Sequence, residues 1–149
     1  MSQPEQPTVA ISLTVKNTAN ALDFYSRAFN AQELFRMPTP DGGIAHAEFM
    51  LGNSHMYISD ESPEWHAYAM PEGTKASCLF AIDVENCDDA YKQAVDAGAT
   101  PMNEPVDQFW GMRTGMVADQ DGYRWNIRQL IEEVSPEEMA RRAQELFGG

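Results

Sequence analysis

Residues 9–29, VAISLTVKNTANALDFYSRAF, determine the fold class of this chain. Apolar side chains occupy every second position at the start of the segment: Ile11, Leu13 and Val15. This alternation is typical of a half-buried β-strand. After it, Asn17 or Thr18 can cap a helix whose apolar residues recur at spacings of three and four up to Phe29. The segment therefore predicts a strand followed directly by a helix.

The same order of elements returns in residues 77–98, SCLFAIDVENCDDAYKQAVDAG. Apolar residues alternate again, and Asn86 can cap a helix that stops at Gly98. Matching residues in the two segments are separated by 69 positions (84 − 15): Val15 and Val84, Asn17 and Asn86, Ala21 and Ala90. The chain therefore contains one internal repeat.

Each predicted helix is followed by three short strand candidates, so each half has the order βαβββ. The candidates are residues 33–36, 44–50 and 54–59, then about 101–105, 115–118 and 123–128. Gly52-Asn53 and Asp121-Gly122 are predicted to form the tight turns before the last strand of each half. The predicted class is α+β, in one domain spanning residues 1–149. Its parts are module one (8–60), a linker (61–75), module two (76–130) and a C-terminal helix (135–147).

The C-terminal helix lies outside the repeat. Ser135 followed by Pro136, with Glu138 three positions after the serine, is a capping box that predicts where this helix begins. Its apolar positions form one face: Met139, Ala143, Leu146 and Phe147. This face can pack on its own domain or on a second copy of the chain, and the sequence leaves both open.

The charge of the chain limits its partners. It has 23 acidic and 10 basic residues and a formal net charge of -13, which repels nucleic acid and anionic membranes. No apolar run approaches the roughly 20 residues that cross a bilayer, and Met1 to Gln6 lacks the pattern of a signal peptide. We therefore expect a cytoplasmic protein that binds neither nucleic acid nor membrane.

The two cysteines predict neither a disulfide framework nor a zinc site. Cys78 and Cys87 are nine positions apart, and no Cys-x-x-Cys motif is present. Cys78 is expected to be a buried strand residue. Cys87 is expected at the start of a helix as an inert thiol, because no cationic side chain stands beside it in the sequence.

A polar face is predicted on the last two strands of the first half. The turn at Gly52-Asn53 sets their register. This register puts four polar side chains on one face: His46, Glu48, Tyr57 and Ser59. The other face is apolar and is expected to pack against helices. In the second half, Asn126 stands opposite an apolar face in the same way. A polar face of this kind either meets water or curls into a pocket.

The stretch FWGMRTG, residues 109–115, combines two large aromatic residues, Phe109 and Trp110, with Arg113 and two glycines. A loop of this composition can stack a planar ligand and bind its anionic group. Alternatively, it is the entry to a hairpin whose aromatic side chains fill the core. Both interpretations stay open on the sequence alone.

The chain resembles the vicinal oxygen chelate superfamily, also called the glyoxalase/bleomycin resistance/dioxygenase fold, in four segments. These are residues 15–31 (VKNTANALDFYSRAFNA), 44–61 (IAHAEFMLGNSHMYISDE), 81–99 and 109–127 (FWGMRTGMVADQDGYRWNI). HAEFMLGNS, FWGMRTG and residues 134–147 are similar to its PhnB-like branch. The resemblance implies two paired βαβββ modules that form an eight-stranded open barrel around a cleft.

The resemblance also implies four positions where metal-dependent members carry their ligands. In this sequence these positions hold Ala10, Tyr57, Leu79 and Asn126, and none is a good ligand. No metal and no cofactor are therefore expected, which argues against glyoxalase I, extradiol dioxygenase or fosfomycin-transferase chemistry.

A relocated metal site would use His46, Glu48 and His55. At about 3.3 Å per strand residue, the two imidazoles are predicted to be too far apart to share one ion. His46 and Glu48 are instead expected to form a hydrogen-bonded or substrate-contacting pair.

Three functions remain open on the sequence. The first is binding of a small aromatic or cationic molecule in a metal-free cleft, as in bleomycin-resistance proteins. The predicted ligand-binding residues are Tyr57, Ser59, Phe109, Trp110 and Asn126. The second is an enzyme in which His46 or Glu48 accepts a proton and Arg113 stabilises an oxyanion. A variant of it is a metal-dependent lyase or dioxygenase with a relocated site. The third is a structural or subunit role.

The expected partners are a small-molecule ligand and a second copy of the chain in a homodimer, because open sheet edges and an extra helix invite a partner. The sequence leaves open the identity of the ligand. It also leaves open whether the modules pair within one chain or across a dimer.

Overall fold

The computed structural model describes residues 7–148, which form two compact units with the boundary between Glu72 and Gly73. This boundary lies inside the predicted linker, which contains one short 3-10 helix, Pro63–Trp65. None of the helices in the described part of the chain has the length and hydropathy needed to span a bilayer.

The first unit is one sheet with one helix. Its elements are β1 (Ile11–Val15), α1 (Thr18–Phe29), β2 (Gln32–Pro38), β3 (Ile44–Leu51) and β4 (Ser54–Asp60). The strand order is β1-β4-β3-β2, with β1 parallel to β4 and the other neighbours antiparallel. The predicted βαβββ module is confirmed.

The second unit repeats this arrangement and adds a helix. Its elements are β5 (Leu79–Asp83), α2 (Cys87–Asp96), β6 (Thr100–Asp107), β7 (Met112–Ala118), β8 (Arg124–Leu130) and α3 (Pro136–Phe147). The strand order is β5-β8-β7-β6, again with one parallel pair. The α+β class with a C-terminal helix is confirmed, and the eight-stranded barrel stays a prediction.

Local sequence signals explain where the helices begin and end. Asn17 caps α1 by accepting a hydrogen bond from the N–H of Asn20, and Asn86 caps α2 in the same way. Asn30 ends α1 in the left-handed conformation, with φ of 59°. Ser135 caps α3 by accepting from the N–H of Glu138 at 3.1 Å, as the capping box predicts.

Each unit buries the face of its sheet that carries its helix. In the first unit, Tyr25 of α1 stacks on Phe49 of β3 with ring centroids 5.5 Å apart, and both side chains are fully buried. In the second, the buried Trp125 donates from Nε1 to Asp119 Oδ2 at 3.0 Å. Burial of such large aromatic groups contributes much of the stability of a core.

The strand register repeats with the 69-residue offset of the sequence. Ser12 of β1 pairs with Tyr57 of β4, and Ala81 of β5 pairs with Asn126 of β8. Tyr57 and Asn126 therefore occupy equivalent places on the faces that the helices leave open.

Two turns differ in length. Leu51 pairs with Ser54, which confirms the two-residue turn at Gly52-Asn53. Ala118 pairs with Arg124, so the predicted tight turn at Asp121-Gly122 is wrong and a five-residue loop takes its place. The Asp119 carboxylate accepts hydrogen bonds from the N–H groups of Asp121 and Tyr123 and so stabilises this longer loop.

Cys78 also departs from the expectation. It lies just before β5 and is exposed, because β5 begins only at Leu79. Cys87 begins α2 and is fully buried, as expected for an inert thiol.

Candidate functional site

The open face of the first sheet carries the polar residues that the sequence predicts to lie together. Glu48 pairs with Tyr57 across β3 and β4, and Met50 pairs with His55, in the predicted register. Ser59 lies on the same side of β4, beside Thr14 of β1. His46 is two positions before Glu48, so it shares this face.

Glu48 connects two histidines. Its Oε2 is 3.0 Å from His46 Nε2, and its Oε1 is 2.6 Å from His55 Nε2. The side chains are partly shielded, with exposed fractions of 17% for Glu48, 36% for His46 and 26% for His55. The predicted hydrogen bond between His46 and Glu48 is present. The imidazole of His55 forms a hydrogen bond with the second oxygen of the same carboxylate.

The charge state of Glu48 follows from these contacts. The hydrogen bond with His46 lowers the pKa of Glu48 below its ordinary value, desolvation acts in the opposite direction, and the hydrogen bond with His55 lowers it further. An ionised carboxylate only accepts hydrogen bonds, so both imidazoles donate from Nε2. In a neutral imidazole, Nδ1 is then the acceptor, and neither Nδ1 has a hydrogen-bond partner within residues 7–148.

Aromatic rings lie beside the two imidazoles. The ring of Tyr57 lies 5.6 Å from that of His46 and 4.9 Å from that of His55, and Phe35 of β2 lies 5.8 Å from His46. We call the set Phe35, His46, Glu48, His55 and Tyr57 the histidine face.

Sequence reasoning did not include two of these residues in the predicted site. His55 was considered only as a metal ligand, although its diagonal position to Glu48 across a hairpin is a usable signal. Phe35 pairs with Glu48 because of a register shift between Glu33 and Phe35, and the sequence carries no sign of that shift.

Asn126 lies on the open face of the second sheet. It pairs with Ala81 of β5 and Met116 of β7, and its side-chain amide has no hydrogen-bond partner in the described part of the chain. It belongs to the other unit and not to the histidine face.

Arg113 lies on the helix side of the second sheet, whereas the sequence interpretation placed it on a wall of the ligand site. It forms ion pairs with Asp107 at 2.8 Å and with Asp88 of α2 at 3.1 Å. The reason is that β7 begins at Met112, so alternation puts Arg113 on the side of the buried Val117. Arg113 is therefore a poor candidate for the predicted role of stabilising an oxyanion in a reaction where His46 or Glu48 accepts a proton.

Phe109 and Trp110 form an edge-to-face pair with ring centroids 5.0 Å apart. Phe109 also contacts Phe147 of α3 at 5.9 Å, and its carbonyl oxygen accepts a hydrogen bond from Arg142 at 3.0 Å. These contacts support the packing interpretation for Phe109, which holds α3 against the loop. Trp110 is 37% exposed.

The glycine between this aromatic pair and β7 has a structural role. Gly111 has a φ of +90°, and its carbonyl oxygen accepts hydrogen bonds from the N–H groups of Ile131 and Glu132. A Cβ atom at this position would lie 2.1 Å from the carbonyl oxygen of Glu132. Only glycine allows the segment after β8 to approach so closely.

The side chains present do not fit the metal that the superfamily resemblance implies. Ala10 and Leu79 have no donor atom, and Tyr57 and Asn126 offer a phenol and an amide. No group of three His, Cys, Asp or Glu residues in the range 7–148 has the geometry to hold a metal ion. In the histidine face, the two Nε2 atoms contact different oxygens of Glu48 instead of converging on one point.

Comparison with known proteins relates this chain to one family. The model of the Glyoxalase/Bleomycin resistance protein/Dioxygenase superfamily matches residues 8–127. The uncharacterized protein Mb0911c of Mycobacterium bovis is 33% identical over 137 residues, which are 90% of this chain and 90% of that protein.

Solved structures share the fold at lower identity. TioX from Micromonospora sp. ML1 has a TM-score of 0.64 and 22% identity, with 87% of this chain and 100% of that chain covered. The fosfomycin resistance protein FosX from Listeria monocytogenes, complexed with Mn(II) and sulfate, has a TM-score of 0.64 and 15% identity, with 94% and 99% covered. With its two βαβββ units and the match over residues 8–127, the chain belongs to the glyoxalase/bleomycin resistance protein/dioxygenase superfamily.

Proposed function

We propose that the chain binds a small organic molecule on the histidine face and that this binding needs no metal ion. The observation that carries the proposal is the position of Tyr57, whose ring lies beside both of the imidazoles that Glu48 contacts. Such a face combines a flat aromatic surface with hydrogen-bond acceptors, which is the usual composition of a small-molecule site.

The chemistry of the face favours a planar or aromatic ligand with a positive charge or a hydrogen-bond donor. Aromatic faces attract cations, and Phe35 leaves 45% of its surface exposed for stacking. Glu48 supplies a negative charge that is 17% exposed, so water screens it less than a surface carboxylate. The net charge of -13 adds a long-range attraction for cations.

Binding can be tested with benzylamine and with benzyl alcohol, its neutral counterpart of similar shape. NMR of the imidazole carbon-bound protons reports on His46 and His55, and His66 of the 3-10 turn serves as an internal control. Benzylamine is expected to shift the His46 and His55 signals with saturation, and Tyr57→Ala is expected to weaken binding roughly tenfold, the order of one lost aromatic contact. Equal shifts at His66, or full affinity in Tyr57→Ala, would contradict the proposal.

The metal-free part of the proposal has its own test. Benzylamine affinity is expected to be the same before and after dialysis of the protein against EDTA. Loss of affinity in EDTA, with recovery on adding Zn²⁺, Ni²⁺ or Mn²⁺, would show that a metal is required.

A second candidate function, metal-free acid/base catalysis, is favoured by the two hydrogen bonds of Glu48. The carboxylate orients both imidazoles through Nε2, so each Nδ1 presents a lone pair that can accept a proton from a bound molecule. The imidazolium that forms would be stabilised by the same carboxylate, as in other carboxylate–histidine pairs.

Variants of His46 separate binding from catalysis. If the chain is an enzyme, His46→Gln should abolish conversion of a substrate while its affinity changes little. If no compound is converted and Tyr57→Ala removes affinity, binding is the function.

We also propose a homodimer. Its support is α3, where Leu146 and Phe147 expose 64% and 75% of their surfaces. Sedimentation of the unmodified chain should report a dimer. Phe147→Glu should dissociate this dimer into monomers. Gln144→Glu, which adds the same charge elsewhere on α3, should leave the dimer intact. A monomer at micromolar concentration would contradict this part of the proposal.

Two finer assignments belong to the same proposal: the PhnB-like branch, supported by residues 46–54 and 109–115, and a cytoplasmic location. Fractionation of cells that express the chain tests the location, and recovery in the membrane fraction would contradict it.

A further inference from the structure

Arg124, the first residue of β8, differs from the other arginines in the described part of the chain. Each of the other six forms an ion pair with a carboxylate: Arg27, Arg36, Arg113, Arg128, Arg141 and Arg142. No carboxylate of residues 7–148 pairs with Arg124. In a chain with 23 acidic residues, an arginine that is not neutralised needs an explanation.

The contacts of Arg124 leave one buried N–H group of its guanidinium without an acceptor among residues 7–148. One terminal nitrogen donates to the carbonyl oxygen of Ala76 at 3.0 Å and approaches that of Cys78 at 3.5 Å. Its Nε is buried and has no hydrogen-bond partner among residues 7–148. A buried donor without an acceptor costs free energy, and the cost is larger when the donor belongs to a charged group.

A second side chain that has no hydrogen-bond partner in the described part of the chain lies on the same strand face. Asn126 follows Arg124 by two positions, so both side chains leave β8 on the face opposite the buried Trp125. The neighbouring strands pair Leu79 and Ala118 with Arg124, and Ala81 and Met116 with Asn126, so each has an alanine on one side and a longer apolar side chain on the other. The pair therefore offers a cation and an amide on one face of β8, each with an alanine on one of its two neighbouring strands.

Arg128 lies on the same face and, unlike Arg124, forms an ion pair with a carboxylate. It lies two positions beyond Asn126, and its Nε donates to Asp83 Oδ1 at 2.5 Å. Its charge is neutralised within the sheet, so it provides a matched control for Arg124.

We propose that Arg124 and Asn126 form a binding site for an oxyanion, the carboxylate or phosphate group of a small molecule, on the open face of the second sheet. Guanidinium groups bind both kinds of anion through paired N–H donors. This site uses residues of the second unit only, so it stands or falls independently of the histidine face.

NMR of the ¹⁵N-labelled full chain tests the site, because it observes the arginine Nε–H groups and the asparagine side-chain amides directly. Arg124→Lys assigns the Nε–H signal of Arg124 by removing it. Sodium acetate, inorganic phosphate and sodium chloride are added to separate samples at equal ionic strength. We expect acetate, phosphate or both to shift the Arg124 Nε–H and Asn126 amide signals with saturation, and chloride to leave them in place.

Substitutions at Arg124, Asn126 and Arg128 test whether the first two side chains bind the anion. Arg124→Gln should weaken anion binding roughly tenfold, the scale of one hydrogen bond from a charged donor, and Asn126→Ala should weaken it less. Arg128→Gln should leave it unchanged. If Arg124→Gln does not fold, the comparison of Asn126→Ala with Arg128→Gln decides.

Response to acetate alone would identify a carboxylate site, and response to phosphate alone a phosphate site. The proposal is overturned if neither anion produces a saturable shift, or if Arg128→Gln weakens binding as much as the substitutions at Arg124 or Asn126.

Discussion

The backbone N–H of Thr18, the first residue of α1, donates a hydrogen bond to Asp60 Oδ1 at 2.8 Å. The second unit repeats this contact at the same 69-residue offset, because Cys87 N–H donates to Gln129 Oε1 at 2.9 Å. In each unit, a side chain at the end of the last strand of the module thus satisfies a free N–H in the first turn of the helix. The contact joins the start of the helix to the end of the last strand of each module, 42 residues further along the chain.

Asp60 should be more important for stability than Gln129. Its second oxygen, Oδ2, accepts from Ile44 N–H at 2.8 Å, so Asp60→Ala leaves two part-buried donors unpaired. We expect a loss of about 2–4 kcal/mol in the free energy of unfolding, and about 1 kcal/mol for Gln129→Ala, which loses one neutral bond. Urea denaturation measures both. Glu61→Ala, at an exposed neighbouring position, should change stability by less than about 0.5 kcal/mol. Equal losses for Asp60→Ala and Glu61→Ala would contradict this account.

Glu48 should make the stability of the fold depend on acid pH. The pKa of Glu48 in the folded chain lies below its ordinary value of 4.5, chiefly because of the hydrogen bond with His46. Its contribution to stability is therefore present above pH 4.5 and is lost as the pH falls through the lowered value.

Glu48→Gln removes this ionisation and nearly preserves the shape of the side chain. The difference in unfolding free energy between wild type and Glu48→Gln should shrink as urea denaturations move from about pH 5.5 to about pH 3. A difference that grows over this range would show that the pKa of Glu48 is raised in the folded chain.

Gly111→Ala should destabilise the chain through a clash. Its Cβ would lie 2.1 Å from a backbone oxygen, and its φ of +90° already disfavours any side chain. Gly42 is a matched control, with a φ of +89° and, apart from its own chain neighbours, no atom of residues 7–148 within 4 Å of the place that an alanine methyl group would occupy. We expect a loss of roughly 1 kcal/mol for Gly42→Ala and at least about 2 kcal/mol more for Gly111→Ala, measured by denaturation. Similar losses in the two variants would mean that the segment after β8 moves aside easily.

The two cysteines should differ sharply in reactivity. Burial raises the pKa of Cys87, so little of it is thiolate at neutral pH, whereas Cys78 is exposed. The native protein should react quickly with one equivalent of a disulfide reagent such as DTNB and with two after unfolding. Cys78→Ser should remove the fast reaction and Cys87→Ser should keep it. Fast modification of Cys87 in the native chain would contradict its burial.

Local patterns in the sequence were sufficient for the architecture. The alternation around Leu13 and the caps at Asn17 and Asn86 depend on residues within a few positions of each other, and the structure has the elements they predict. The turn at Gly52-Asn53 was also predictable, because two-residue hairpins demand such residues.

The candidate site was predictable only in part. Strand alternation placed His46, Glu48 and Tyr57 on one face, since that periodicity needs no knowledge of distant residues. Phe35 joins them through a register shift in β2. In the second unit, Arg113 lies on the helix side of its sheet because β7 begins three residues earlier than the sequence indicated. Shifts and strand starts depend on pairing with other strands, which a local pattern does not contain.

The sequence by itself determined that the chain contains two βαβββ modules and that Ala10 and Leu79 provide no metal ligand, because periodicity and side-chain chemistry are local properties. Only the tertiary structure decided that Glu48 joins His46 to His55 and that no carboxylate of residues 7–148 pairs with Arg124. Those relations depend on which side chains from separate strands reach each other once the sheets have formed.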